Sequence, residues 1–209
     1  MEDIRNLETV KPKKQRRYLR SRITRKLILD CATEIFISEG YAKTTVEKIS
    51  SKAGVGYGTI YSHYKGKDDI LSSILDRILY NFFDYQSKPG VIGDKEVVSS
   101  HYKELILFLF QLAVEHRPIF KVYHDAIGKS EKISNHWDSI IEDLIDDFAT
   151  SFQEYQRKGL MRDFDVHKGA QVFVYLVDSC FWEVVNEKED DIESIAKIIG
   201  EILYQGLYR

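Results

Sequence analysis

An all-α fold of about nine helices is predicted by three features of this sequence. Apolar residues recur at three- and four-residue spacing along most of its length. Only 3 prolines interrupt the 209 residues, and no stretch joins two-residue alternation to turn chemistry. With 44% apolar and 12% aromatic residues the chain can bury a sizeable core, which excludes wholesale disorder. The longest apolar run, at 105–110 and extended to 114, is far short of the ~18 residues a membrane span needs. The first 22 residues are polar and basic without an apolar h-region, so no secretory signal is expected. Cys31 and Cys180 lie inside apolar-periodic segments and form no framework, a pattern that predicts reduced thiols and a cytoplasmic location.

The elements follow in order. Ile23, Leu27, Cys31 and Ile35, flanked by Ile28, Ala32 and Phe36, form the stripe of a first helix that stops at Gly40. Thr44-Thr45-Val46-Glu47 reads as a capping box, a threonine hydroxyl accepting from the backbone three residues on while Glu47 reaches back. It opens a short helix carrying Val46, Ile49 and Ala53, closed by Gly54. The segment 56–64 is a third element, short and aromatic. Gly66 then precedes Lys67-Asp68-Asp69, which places two carboxylates in a first turn where the helix dipole favours them. The fourth helix is long, with Ile70, Leu71, Ile74, Leu75, Ile78, Leu79, Phe82 and Phe83 on its stripe, and it runs to a Ser-Lys-Pro-Gly linker at 87–90. Further helices are expected near 95–115, 118–127, 132–158, 166–187 and 191–207. Pro118 suits a helix start, Gly159 a C-terminal cap and Asp165 an N-cap.

The net charge of -3 hides an asymmetry. The first 70 residues hold 15 basic and 9 acidic side chains, the remaining 139 hold 15 and 24, and 11–26 holds nine basic and no acidic one. Such a block is either a solvated tail or the footprint of a polyanion, since each Lys or Arg that neutralises a phosphate releases a condensed counterion. Two short helices joined at Ala53-Gly54-Val55 have the dimensions of a helix-turn-helix, although tight helical corners of that size also occur as plain packing. The string Gly54-Val-Gly-Tyr-Gly-Thr lacks the preceding strand and the Gly-Lys-Ser/Thr ending of a nucleotide loop.

The residues of this region run Thr44-Thr45-Val46-Glu47-Lys48-Ile49, then Ala53-Gly54-Val55-Gly56-Tyr57-Gly58-Thr59-Ile60-Tyr61-Ser62-His63-Tyr64, then Lys65-Gly66-Lys67-Asp68-Asp69-Ile70-Leu71. Together with Ala32, Phe36, Gly40 and Tyr41 of the preceding helix they closely resemble the N-terminal DNA-binding domain of the TetR family of bacterial transcriptional repressors. The resemblance covers about residues 22–75. Three positions depart from it: Gly56 stands where a capping serine is usual, Gly66 where Ser or Asn is frequent, and Tyr64 in place of phenylalanine. It implies a basic arm at 1–20, a helix-turn-helix domain at 21–66, and a larger helical domain at 67–209 for effector binding and dimerisation.

On that resemblance Thr44, Thr45, Gly56, Tyr57, Gly58, Thr59, Tyr61, His63 and Lys67 are the expected DNA contacts. A recognition helix enters the major groove by its N-terminal end, which puts Gly56, Tyr57, Gly58 and Thr59 nearest the base edges. Tyr57 is the foremost candidate for sequence preference, its ring suited to a thymine methyl and its hydroxyl to a hydrogen bond. Thr45, Tyr61, His63 and Lys67 resemble a phosphate clamp, which fixes register without reading sequence. Tyr61 and Tyr64 equally suit the core of a small three-helix unit, and His63 suits either place.

The resemblance also implies a small-molecule effector in a cavity of the second domain, for which an aromatic-rich lining is apt. Candidates are Phe108, Tyr123, His124, Trp137, Phe152, Phe173 and Asp178, with His136 and Gln153 as further polar groups. Phe173, Val177, Phe181, Val184, Ile195, Ile199 and Ile202 on the last two helices resemble halves of a four-helix dimer interface. Glu142, Asp143, Asp146 and Asp147 read as a solvated face, and the histidines lack metal-ligand spacing, so neither metal nor cofactor is expected. The sequence thus predicts a homodimeric repressor that binds a pseudopalindromic operator as double-stranded DNA and is released by a small hydrophobic or aromatic effector. The competing classes are a helical interaction scaffold and an enzyme; no titratable pair with catalytic spacing supports the latter, and no catalytic residue is expected.

Overall fold

The computed structural model of the chain describes residues 12–86 and 95–207; the linker expected at 87–90 and the first eleven residues of the basic arm lie outside them. Nine helices and no strand occur among the described residues: α1 (Pro12–Lys43), α2 (Val46–Ala53), α3 (Tyr57–Tyr61), α4 (Lys67–Gln86), α5 (Lys95–Glu115), α6 (Arg117–Ile127), α7 (Glu131–Arg157), α8 (Val166–Val185) and α9 (Ile192–Leu207). No described helix is long and apolar enough to cross a membrane.

The chain divides into two compact units between Ile74 and Leu75. The division falls inside α4, not at residue 66 where the sequence placed it, because Ile70, Leu71 and Ile74 are buried in the first unit while Leu75, Leu79 and Phe82 are buried in the second. The basic stretch is also reassigned. From Pro12 onward it is the opening of α1, not a flexible arm, and Arg20, Arg22, Arg25 and Lys26 stand exposed on that helix.

In the first unit the buried stripe of α1 is Ile28, Leu29, Ala32, Ile35 and Phe36. Ile23 and Leu27, expected on it, are exposed, so the early turns carry apolar side chains that this unit does not cover. Gly40 breaks α1 with φ 77° and ψ 169°, a conformation open to glycine alone. The cap of α2 is shifted by one residue from the expected box. Thr45 is the N-cap and accepts from the Lys48 amide at 3.3 Å, which leaves Glu47 one position too early to reach back.

Gly54 ends α2 in the left-handed region at φ 62°, with open space where a Cβ would stand. Gly54→Ala, which adds that Cβ alone, therefore tests backbone strain without a clash. It is expected to destabilise the protein by roughly 1–2 kcal/mol, read as a lower urea midpoint at unchanged slope.

In the second unit α7 packs on α6 and α8, and α5 packs on α6, α8 and α9. The expected caps at Asp165 and Gly159 are present: Asp165 accepts from the Lys168 amide at 3.1 Å, and Gly159 at φ 72° turns the chain after α7, whose N-cap is Ser130. Phe148, Phe152, Phe173 and Tyr102 form one aromatic cluster, with Phe148 and Phe173 edge-on at 4.9 Å. Tyr123, Trp137, Phe181 and Trp182 form another, joined by Phe120. Glu142, Asp143, Asp146 and Asp147 lie on the exposed face of α7. No grouping of three or more His, Cys, Asp or Glu suited to a metal ion occurs among the described residues.

Candidate nucleic-acid interface and effector cavity

The turn between α2 and α3 is tied from both sides. The Ser50 hydroxyl donates to the Val55 carbonyl at 2.6 Å, and the Val55 amide donates to the Ser50 carbonyl at 3.2 Å. Ser50 is nearly sealed, so this bond is shielded from water. Its importance was not read from the sequence, since a serine in mid-helix carries no cap signal.

Helix α3 has a single buried side chain, Ile60, which joins Ile49 and Ala53 of α2 in the core. One inward anchor on a five-residue helix turns the others outward. Tyr57 is 47% and Tyr61 55% exposed, so α3 offers two aromatic side chains to solvent. Gly56 is the N-cap without a side-chain bond, and Gly58 has open space beside it, so bare backbone is presented between the two rings. Thr59 is half-buried on the same helix.

The flanking candidates divide. Thr45 is exposed; its oxygen serves the Lys48 amide and its proton remains available to an acceptor such as a phosphate. His63 is half-buried with its ring 6.2 Å from that of Tyr64. Thr44, expected as a DNA contact, is instead fully buried and donates to the Gly40 carbonyl at 2.8 Å, so its side chain does not face solvent. Lys67 is half-buried. Its ammonium donates to the Tyr41 carbonyl at 2.8 Å and lies 4.1 Å from the centroid of that ring, so without DNA it rests against Tyr41. The Tyr41 hydroxyl in turn donates to Asp68 at 2.7 Å. Tyr64 is core, and its departure from phenylalanine has a local reason: the Arg25 Nε donates to its hydroxyl at 3.2 Å.

The second unit holds a cavity of about 50 Å³. It is walled by Leu79, Phe82 and Phe83 of α4, Leu105, Ile106 and Leu109 of α5, Trp137, Ile140, Ile141, Leu144 and Phe148 of α7, and Phe173, Val174, Val177, Asp178 and Phe181 of α8. Of the expected ligand residues only Trp137, Phe173 and Asp178 line it. Phe152 and Tyr123 are packed into the core, Phe108 lies against Phe82 outside the lining, His124 is exposed and stacked 4.5 Å from Trp182, and Gln153 is exposed. His136 is a bridge instead. Its Nδ1 meets the Tyr123 hydroxyl at 2.6 Å and its Nε2 meets Asp76 Oδ1 at 3.0 Å, tying α7 to α6 and α4.

Asp178 is the one charged group in the wall. Burial pushes its carboxyl above the usual range, and hydrogen bonds from the Trp137 and Trp182 side chains act the other way. Its Oδ1 is buried and has no hydrogen-bond partner.

Most of the expected dimer residues are covered within the chain itself. Phe173, Phe181, Val184 and Ile199 are buried, Val177 and Ile195 are half-buried, and only Ile202 is exposed. The outward apolar face is Val172 (70% exposed), Tyr175 and Leu176 of α8 with Ile198 and Ile202 (56%) of α9. A groove lined by Phe164, Val172, Leu176, Ile199, Ile202 and Leu203 among others runs along it.

A tied two-helix turn that presents two tyrosines and bare backbone, followed by an all-helical unit with an apolar cavity, has the form of a helix-turn-helix unit carried on a helical domain. The comparisons agree. Residues 28–74 match the family described as bacterial regulatory proteins, tetR family. The fatty acid metabolism regulator protein of Bacillus subtilis (strain 168) is 24% identical over 185 residues, covering 87% of this chain and 94% of that one. Two solved structures share the fold. A TetR-family transcriptional regulator from Syntrophomonas wolfei superposes with a TM-score of 0.76 at 19% identity, covering 88% of this chain and 96% of its own. SmeT, the repressor of the Stenotrophomonas maltophilia multidrug efflux pump SmeDEF, in complex with triclosan, superposes with a TM-score of 0.74 at 20% identity, covering 90% and 92%. Residues 28–74 thus carry the tetR-family match, and the chain as a whole shares the fold of these regulators.

Proposed function

We propose that the protein is a repressor that binds a pseudopalindromic operator as a homodimer and leaves it when a small apolar effector fills the second unit. The observation that carries the DNA half of this reading is the outward display of Tyr57, Gly58 and Tyr61 from a helix anchored by Ile60 alone. Two such helices related by a two-fold axis would read half-sites one turn apart. Thr45, Tyr61 and His63 are the phosphate contacts in this reading, and Gly56, Tyr57, Gly58 and Thr59 the residues nearest the bases. The exposed Arg20, Arg22, Arg25 and Lys26 add electrostatic attraction. Val172, Tyr175, Leu176, Ile198 and Ile202 form the self-complementary face.

The cavity supports the effector half, because α4 contributes to its wall and the same helix runs back into the first unit. Coupling of about 1–3 kcal/mol between effector and operator would change affinity roughly 5- to 150-fold, enough for a switch.

The direct test is footprinting on DNA upstream of the gene, with purified full-length protein. A protected two-fold-related site supports the reading, and protection of no site at any protein concentration overturns it. On that site Tyr57→Ala is expected to cost about 1–3 kcal/mol of discrimination while binding to unrelated DNA stays unchanged. Equal losses on both DNAs would move Tyr57 from base reading to backbone contact.

A further inference from the structure

We propose that the cavity takes an amphipathic amine, its apolar body among the aromatic and aliphatic walls and its protonated nitrogen donating to Asp178 Oδ1. The proposal rests on the reading of this cavity as the effector site and names the chemical class that fits it. Fifteen of the sixteen lining residues are apolar, so an apolar body is required, and the sixteenth supplies an acceptor. A carboxylate accepts only, and here it already receives hydrogen bonds from the Trp137 and Trp182 side chains. What it lacks is a donor at Oδ1, which is buried and unpartnered. No Lys, Arg or His lines the cavity, so a cationic ligand would supply the counter-charge that keeps Asp178 ionised there.

The alternatives fit less well on charge alone. An alcohol would satisfy Oδ1 by one hydrogen bond but leave the carboxylate without a counter-ion. A carboxylate ligand would face Asp178 as a like charge in an apolar wall. The rings of Trp137 and Phe181 in the wall add an aromatic surface that attracts cations. The present cavity, about 50 Å³, is far below the roughly 300–1,000 Å³ of ligand pockets, so wall side chains must yield on binding. Leu79, Phe82 and Phe83 belong to α4, which makes α4 one of the elements that must respond.

The experiment is calorimetric titration of full-length protein at pH 7.5 with octylamine, 1-octanol and octanoate, three ligands that share a chain length and differ in the head. Octylamine is expected to bind at least tenfold tighter than octanol, and octanoate weakest. Asp178→Asn should cut octylamine affinity at least tenfold and leave octanol within twofold, which also certifies that the variant keeps its cavity. Should that variant fail to fold, the octylamine-to-octanol ratio in the unaltered protein decides. Equal affinities, an octanoate preference, or no heat from any of the three overturns the proposal. A gel shift run in parallel separates the two readings: octylamine that binds through Asp178 but leaves operator affinity unchanged upholds the amine site and refutes its role as effector site.

Discussion

Ile202→Arg is expected to convert the protein to a monomer and weaken operator binding by roughly 10²–10⁴-fold. Ile202 lies on the apolar face that α8 and α9 leave open, beside Ile198 and across from Val172 and Leu176. In an isologous interface the same patch meets itself, so one substitution changes both sides at once. An arginine there buries an uncompensated charge, which costs about 3–5 kcal/mol when no partner is supplied. Because Ile202 is exposed in the single chain, the helix content and melting of the monomer should be preserved. Sedimentation velocity and a gel shift check the result together. A variant that remains dimeric with full affinity would show that the protein pairs through another surface.

The second large effect is expected at Ile60, the sole fully buried side chain of α3. Ile60→Ala should destabilise the first unit by about 2–5 kcal/mol, through lost burial and the cavity left against Ile49 and Ala53. A helix of five residues has little stability of its own, so its position depends on that anchor. Operator binding should fall more than tenfold while octylamine binding in the second unit is unchanged. Urea unfolding followed by circular dichroism, with the gel shift, separates this from a global loss. A variant with wild-type DNA affinity would show that the backbone bonds of the Ser50–Val55 turn hold α3 by themselves.

The helices of this protein were readable because their ends are written in residues. Gly54, Gly159, Asp165 and Pro118 each stop or start a helix by a local rule that the rest of the molecule does not override. The facing of α8 was not readable for the opposite reason. Val172, Phe173, Val174, Tyr175, Leu176 and Val177 are apolar on every side, so periodicity cannot say which of them meets solvent. Two adjacent threonines posed the same problem on a smaller scale. A cap at Thr44 and a cap at Thr45 look alike in sequence, and only the fold, which buries Thr44 and leaves Thr45 exposed, decides between them. Lys67 reads in sequence as a free cation because its partners, the carbonyl and ring of Tyr41, lie 26 residues away. Within the candidate site, the outward tyrosines were legible and the internal ties were not.

The chain has 2 tryptophans, Trp137 and Trp182, and they touch at 4.8 Å beside Asp178. Every photon of indole emission from this protein therefore originates in one place, and none comes from the helices that carry Tyr57 and Tyr61. Adding operator to the unlabelled protein and watching that emission becomes a measurement of communication between the two units. A spectral change on DNA binding would mean that the second unit senses the first, with no dye, no engineered cysteine and no effector in the cuvette.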